Sequence, residues 1–158
     1  MRTNLQDKRT VYALWSLASV EALALLTSIH HVFKFGPGFL VMGLILVTLP
    51  LILIWQFSRK PNTLLAQIYG LVVIFMVLGF GLFDGLWNHT IKMLLFFAYG
   101  ANQAVMREKF PVFDPVGGFG YELSGVLTFV AALVAAYFTY QFIRTFAVAA
   151  RRTEAYDG

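Results

Sequence analysis

Polar and apolar positions alternate along this chain in long blocks rather than residue by residue. A polar opening with Arg2, Lys8 and Arg9 gives way to an apolar run from Val11 to Phe35. That run is too long for the apolar core of a signal peptide and has no small-residue cleavage site after it, so it predicts an uncleaved first span over 11–35. Gly36-Pro37-Gly38 interrupts it, since both residue types break helices. The next block predicts a second span over 39–57, with a kink at Pro50, whose missing N–H opens the backbone ladder. Ser58 to Asn62 form a polar turn.

The third apolar block, from Leu64 to Gly100, is too long for one crossing. As a helix it would reach roughly 55 Å, against a hydrocarbon core of about 30 Å. The third span is therefore expected over 64–84, meeting the interface at Asp84-Gly85. Residues 86–100 are expected to form a helix that lies in the interface or extends the span. Trp87, Ile91, Leu94, Leu95 and Ala98 would share one of its faces. A Pro- and Gly-rich outer loop over 101–120 and a last span over 121–147 complete the pattern. The fold class expected is all-α: an integral membrane four-helix bundle, a single transmembrane domain over 1–158, with an extra interfacial or protruding helix after the third span.

Composition sharpens this picture. Hydrophobic residues make up 59% of the chain and charged residues 13%, with mean hydropathy +0.72. A soluble domain is nearer a quarter charged, so lipid is the implied solvent. The formal net charge of +4 forms no basic patch suited to nucleic acid. Eight of the twelve Lys and Arg fall on the side of the termini and the Ser58–Asn62 turn. The positive-inside rule then places both termini in the cytoplasm, in a plasma or bacterial inner membrane. With no Cys, disulfides, thiolate metal sites and cysteine nucleophiles are excluded.

Ionisable residues in or beside spans are costly and so become functional candidates. They are Glu21, His30 and His31 on the first span, Asp84 on the third, His89 and Lys92 just beyond it, and Glu122 opening the fourth. All but Glu21 belong to the outer level, whereas Glu21 lies roughly 14 Å deeper. At 100° per residue, His31 sits about 80° from Glu21 and His30 about half a turn away, which favours His31 as the one member of the pair in a shared cavity. Asp84 and Asn88, one turn apart, can face the same cavity, and Gly81-x-x-x-Gly85 brings helix backbones close. The expected site places Glu21 at the floor of a cavity lined by His31, Asp84, His89 and Glu122.

Imidazoles with carboxylates suit a divalent transition metal, Fe, Zn, Mn or Cu(II), with His31, His89, His30 and Asp84 as candidate ligands. Glu21, Asp84 and Glu122 are the candidate catalytic carboxylates for acid–base work on a lipophilic small molecule. Blander roles stay open: His30, His31 and Lys34 as interfacial anchors, Lys92 snorkelling to the headgroups, and Glu122 complementing a helix dipole. Asn88-His89-Thr90 also matches a glycosylation sequon.

Three function classes follow: a membrane-embedded enzyme or binding protein, an accessory subunit of a membrane complex, and a proton-coupled transporter. The second span argues against transport, with only Thr48 and Gln56 as polar lining. Haem held between His89 and His30 or His31 would leave the carboxylates unused. No Gly-x-Ser-x-Gly elbow supports serine hydrolysis. Membrane lipid is the expected surrounding partner, and a homo-oligomer or a larger complex stays open.

Overall fold

In a computed structural model the chain is described over residues 2–157, with side chains described over 8–147. Arg2, Arg151 and Arg152, counted above in the charge balance, lie outside the described side chains. The described residues form helices and no strands: α1 (Arg2–Phe35), α2 (Phe39–Arg59), α3 (Thr63–Ala98), α4 (Gln103–Lys109) and α5 (Phe119–Asp157).

Local chemistry sets the boundaries. Gly36 ends α1 in the left-handed region at φ 81°, where a side chain would be strained. Asn62 caps α3 by accepting the Leu65 N–H at 2.8 Å. Past Ala98 the chain closes a Schellman turn: Gly100 is left-handed, its N–H bonds Phe97 O at 3.2 Å, and the Ala101 N–H bonds Phe96 O at 2.9 Å. Helix α2 runs unbroken through Pro50.

Four helices are long and apolar enough to cross a membrane: Lys8–Phe35, Phe39–Arg59, Thr63–Ala98 and Phe119–Ala147. Their outward faces carry Leu40, Val41, Leu44, Leu71, Phe75 and Phe83, all exposed. Such an apolar exterior suits hydrocarbon and supports a multi-pass membrane protein. Helices α1 and α5 run antiparallel, joined by Ser16–Thr139 at 2.7 Å toward one end and His30–Ser124 at 3.0 Å toward the other. Helix α3 packs on α5 through small residues. A Cβ on Gly85 would meet the Phe129 backbone nitrogen at 2.7 Å, and one on Gly81 would run into Ala132.

Of the two arrangements expected for residues 86–100, the structure has the extension: α3 continues unbroken past Asp84-Gly85 to Ala98. Over Val77–Ile91 this helix is π-wound, with more residues per turn than an α-helix. One expectation needs correction: the outer loop expected over 101–120 contains α4. Asn102 nucleates that helix, its side chain accepting the Ala104 and Val105 N–H groups at 2.9 and 3.3 Å.

Candidate metal centre

The π-wound stretch decides which side chains meet. Asp84 and His89, five residues apart, would diverge by about 140° on an α-helix. With i→i+5 winding they fall on one face. The Asp84 carboxylate then becomes the hub of the site. Its Oδ2 lies 3.6 Å from His30 Nε2 and 3.8 Å from His31 Nε2, and its Oδ1 lies 3.8 Å from His89 Nε2. Asn88 donates to Oδ1 at 3.4 Å, as the one-turn spacing predicts.

Behind each imidazole stands an acceptor that fixes its proton. His31 Nδ1–H donates to the Thr27 carbonyl at 2.9 Å, which can only accept. His89 Nδ1–H donates to Glu122 Oε2 at 2.7 Å. Ser124 gives its own proton to the Tyr121 carbonyl at 2.7 Å, so its oxygen accepts His30 Nδ1–H at 3.0 Å. These partners assign one tautomer to all three rings. With Nδ1 so committed, each ring turns its Nε2 toward the Asp84 carboxylate. Both His30 Nε2 and Asp84 Oδ2 are buried without a hydrogen-bond partner.

Glu122 anchors the far wall. Its Oε1 accepts Lys92 Nζ at 2.7 Å and the Gly117 N–H at 2.6 Å. Lys92, His89 and Glu122 are each at most 2% exposed. Lys92 therefore closes a buried charge pair and does not snorkel. Glu122 does open α5, where a carboxylate complements the helix dipole, but its main partners are across the bundle. His89 fits only because position 125 is glycine: a Cβ on Gly125 would run into the His89 ring. Tyr121 stacks on His30 at 4.2 Å between ring centres.

Loop 110–118 closes the end of the bundle. Lys34 Nζ bonds Asp114 Oδ2 at 2.6 Å, Gln103 exchanges hydrogen bonds with Val116, and Trp87 packs on Phe113. The Lys34 ammonium, by hydrogen bond and charge, holds the Asp114 carboxyl below its ordinary range.

The structure thus brings together His30, His31, Asp84, His89 and Glu122. Both members of the His30-His31 pair reach Asp84, because the hub lies between the two faces they occupy. His30, set aside from the cavity by its angle to Glu21, is the more deeply buried of the two. Glu21 stands apart: no hydrogen bond or ion pair joins it to the cluster, and its Oε1 is buried without a hydrogen-bond partner. The rings of His30 and His89 already touch edge to face at 4.4 Å, leaving no gap for a haem. The sequon lies inside α3, with His89 buried and Asn88 committed to Asp84. Lys92, Ser124, Thr27 and Gly125 carry roles that the sequence reading missed.

His30, His31 and Asp84 offer ligand atoms all within 4.8 Å of one another, with His89 adjoining through Asp84. Atoms bound to one ion at about 2.0–2.2 Å lie roughly 3–3.6 Å apart, so a set as wide as 4.8 Å would draw in by about 1.2–1.8 Å to close on an ion. No protein-family model, curated protein or solved structure matches this chain, and the geometry of the site carries the functional reading.

Proposed function

We propose that this protein is a membrane-embedded metalloprotein. A divalent transition metal, Zn, Fe, Mn or Cu(II), is held by His30, His31, His89 and Asp84 and serves chemistry or binding on a lipophilic small molecule. One observation supports this above the rest: three imidazole Nε2 atoms converge on one carboxylate while their Nδ1 atoms are engaged elsewhere, so that neutral rings would turn three lone pairs on it. Lone pairs facing lone pairs repel unless a cation lies among them. A proton could satisfy one such contact, whereas a metal ion satisfies all of them at once. Outer hydrogen bonds of this kind are the usual support of metal-bound histidines.

The charge asymmetry supports an extracytoplasmic site, with both termini cytoplasmic. Glu122 orients His89, and Lys92 neutralises Glu122 so that its charge does not oppose that of Asp84. Access is from His31, whose ring packs among Phe35, Phe39 and Phe80 rather than against water. That aromatic approach favours an apolar substrate.

Metal analysis of the detergent-purified chain tests the reading. After incubation with each candidate ion and removal of excess, about one ion per chain is expected. His30→Ala and Asp84→Asn should each abolish uptake while leaving membrane insertion unchanged. Failure of the intact chain to retain any of the four ions would sink the proposal and favour an accessory subunit, with the cluster acting as an interhelical staple.

A further inference from the structure

The centre has one open side, at His31 and Asp84, and an apolar groove lies below it between α2 and α3. Of the four candidate ligands, His30 and His89 are sealed behind α5 and Tyr121, while His31 and Asp84 keep partly exposed side chains. An incoming group therefore arrives beside His31 and Asp84. There the His31 ring stacks on Phe39 at 4.6 Å and meets Phe80 edge-on at 5.7 Å, and Phe80 meets Phe75 at 6.4 Å. Phe75 is already a wall of the groove, about 360 Å³, that separates α2 from α3. Met42, one turn below Phe39, and Met76, one turn below Phe80, line its near end; Leu49 and Val72 line it further down. The groove thus begins one turn below the centre and descends toward the middle of the bundle.

Direction and charge both restrict the occupant. A lipid in the leaflet on this side holds its polar head at the interface and its chain toward the bilayer centre, the same course as centre and groove. Lys92 cancels Glu122 and Lys34 cancels Asp114. Three neutral imidazoles, one Asp84 carboxylate and a divalent ion leave one uncompensated positive charge. At low dielectric such a charge favours an anionic oxygen ligand at the open position.

We infer that the centre receives a single-chain amphiphile with an anionic oxygen head, its chain in the α2–α3 groove and its head beside His31 and Asp84. This rests on the metal-centre reading and adds the substrate class to it.

The test uses the metal-loaded full chain in lipid nanodiscs with a palmitic acid probe carrying a mid-chain diazirine. The comparator has the same photoreactive chain on a trimethylammonium head. After irradiation, labelled residues are mapped by mass spectrometry, and metal content is measured on the same samples. Palmitate is expected to label Met42, Leu49, Val72 or Phe75 about tenfold more strongly than the cationic probe does, or than palmitate labels the Asp84→Asn chain. Leu49→Trp, and separately Val72→Trp, should block labelling with metal content unchanged, which shows that the chain is folded. Equal labelling by both heads, or labelling indifferent to metal, would mean annular lipid only and overturn the inference. A loaded chain with no groove labelling overturns this inference alone. A chain that takes up no metal overturns the centre itself and this inference with it.

Discussion

Replacing Glu122 with Met separates two roles that one carboxylate plays in this site. Glu122 accepts Lys92 Nζ and His89 Nδ1, each at 2.7 Å and both buried, and the part-buried Gly117 N–H at 2.6 Å. The single variant strands a buried ammonium, and removing one partner of a buried pair costs about 3–5 kcal/mol. Adding Lys92→Met removes the stranded charge. Replacing a whole buried pair with apolar side chains is neutral to favourable by about 1–4 kcal/mol. Against that stands the orphaned His89 Nδ1–H, at about 1–3 kcal/mol. The double variant should therefore recover to near the stability of the parent. Metal affinity should not recover, because the His89 ring has lost the acceptor that fixes its tautomer, a change typically worth about 10–100-fold. Unfolding by SDS titration in mixed micelles measures the first quantity, and competition with a chelator measures the second. A Glu122→Met chain as stable as the parent would refute the buried pair. A double variant with full metal affinity would refute the role assigned to Glu122 behind His89.

Three further outcomes follow from the same geometry. Gly125→Ala drives a methyl into the His89 ring and should cost about 1–3 kcal/mol together with metal affinity. Gly118→Ala, where the added methyl meets nothing, should change neither in the same two assays. Asp114→Asn should destabilise loop 110–118 by at most about 1 kcal/mol, since Asp114 is 69% exposed and its pair with Lys34 is screened. Because the folded Asp114 pKa is depressed, the stabilisation is present above the ordinary carboxylate pKa and lost as pH falls through the folded value. Proteolysis of this loop at neutral pH should thus accelerate in the variant, and the difference should vanish in acid. Reporter fusions at Asn62 and Asp114 should report opposite sides of the membrane; agreement between them would overturn the topology.

Hydropathy alone was enough for the four long helices, because a span is a local property: about 20 apolar residues in sequence, whatever lies beside them. The same locality explains why Gly36, with its left-handed φ, could be assigned as a helix end from the sequence. The outer level of His30, His31, Asp84, His89 and Glu122 was legible too, since depth follows from counting residues along a helix. Which faces those residues share was not. Helical angles computed at 100° per residue fail wherever the winding changes, and the π-wound stretch moves Asp84 and His89 onto one face and buries Lys92. They also favoured His31 over His30, because they measured both against Glu21, which no hydrogen bond or ion pair joins to the site. Whether a lysine near a span end reaches the headgroups or turns inward depends on a partner thirty residues away, here Glu122. The fit of the His89 ring depends on a missing methyl at Gly125, on another helix. Contacts of that kind belong to the packing of α1, α3 and α5 together, so only the tertiary structure decided them.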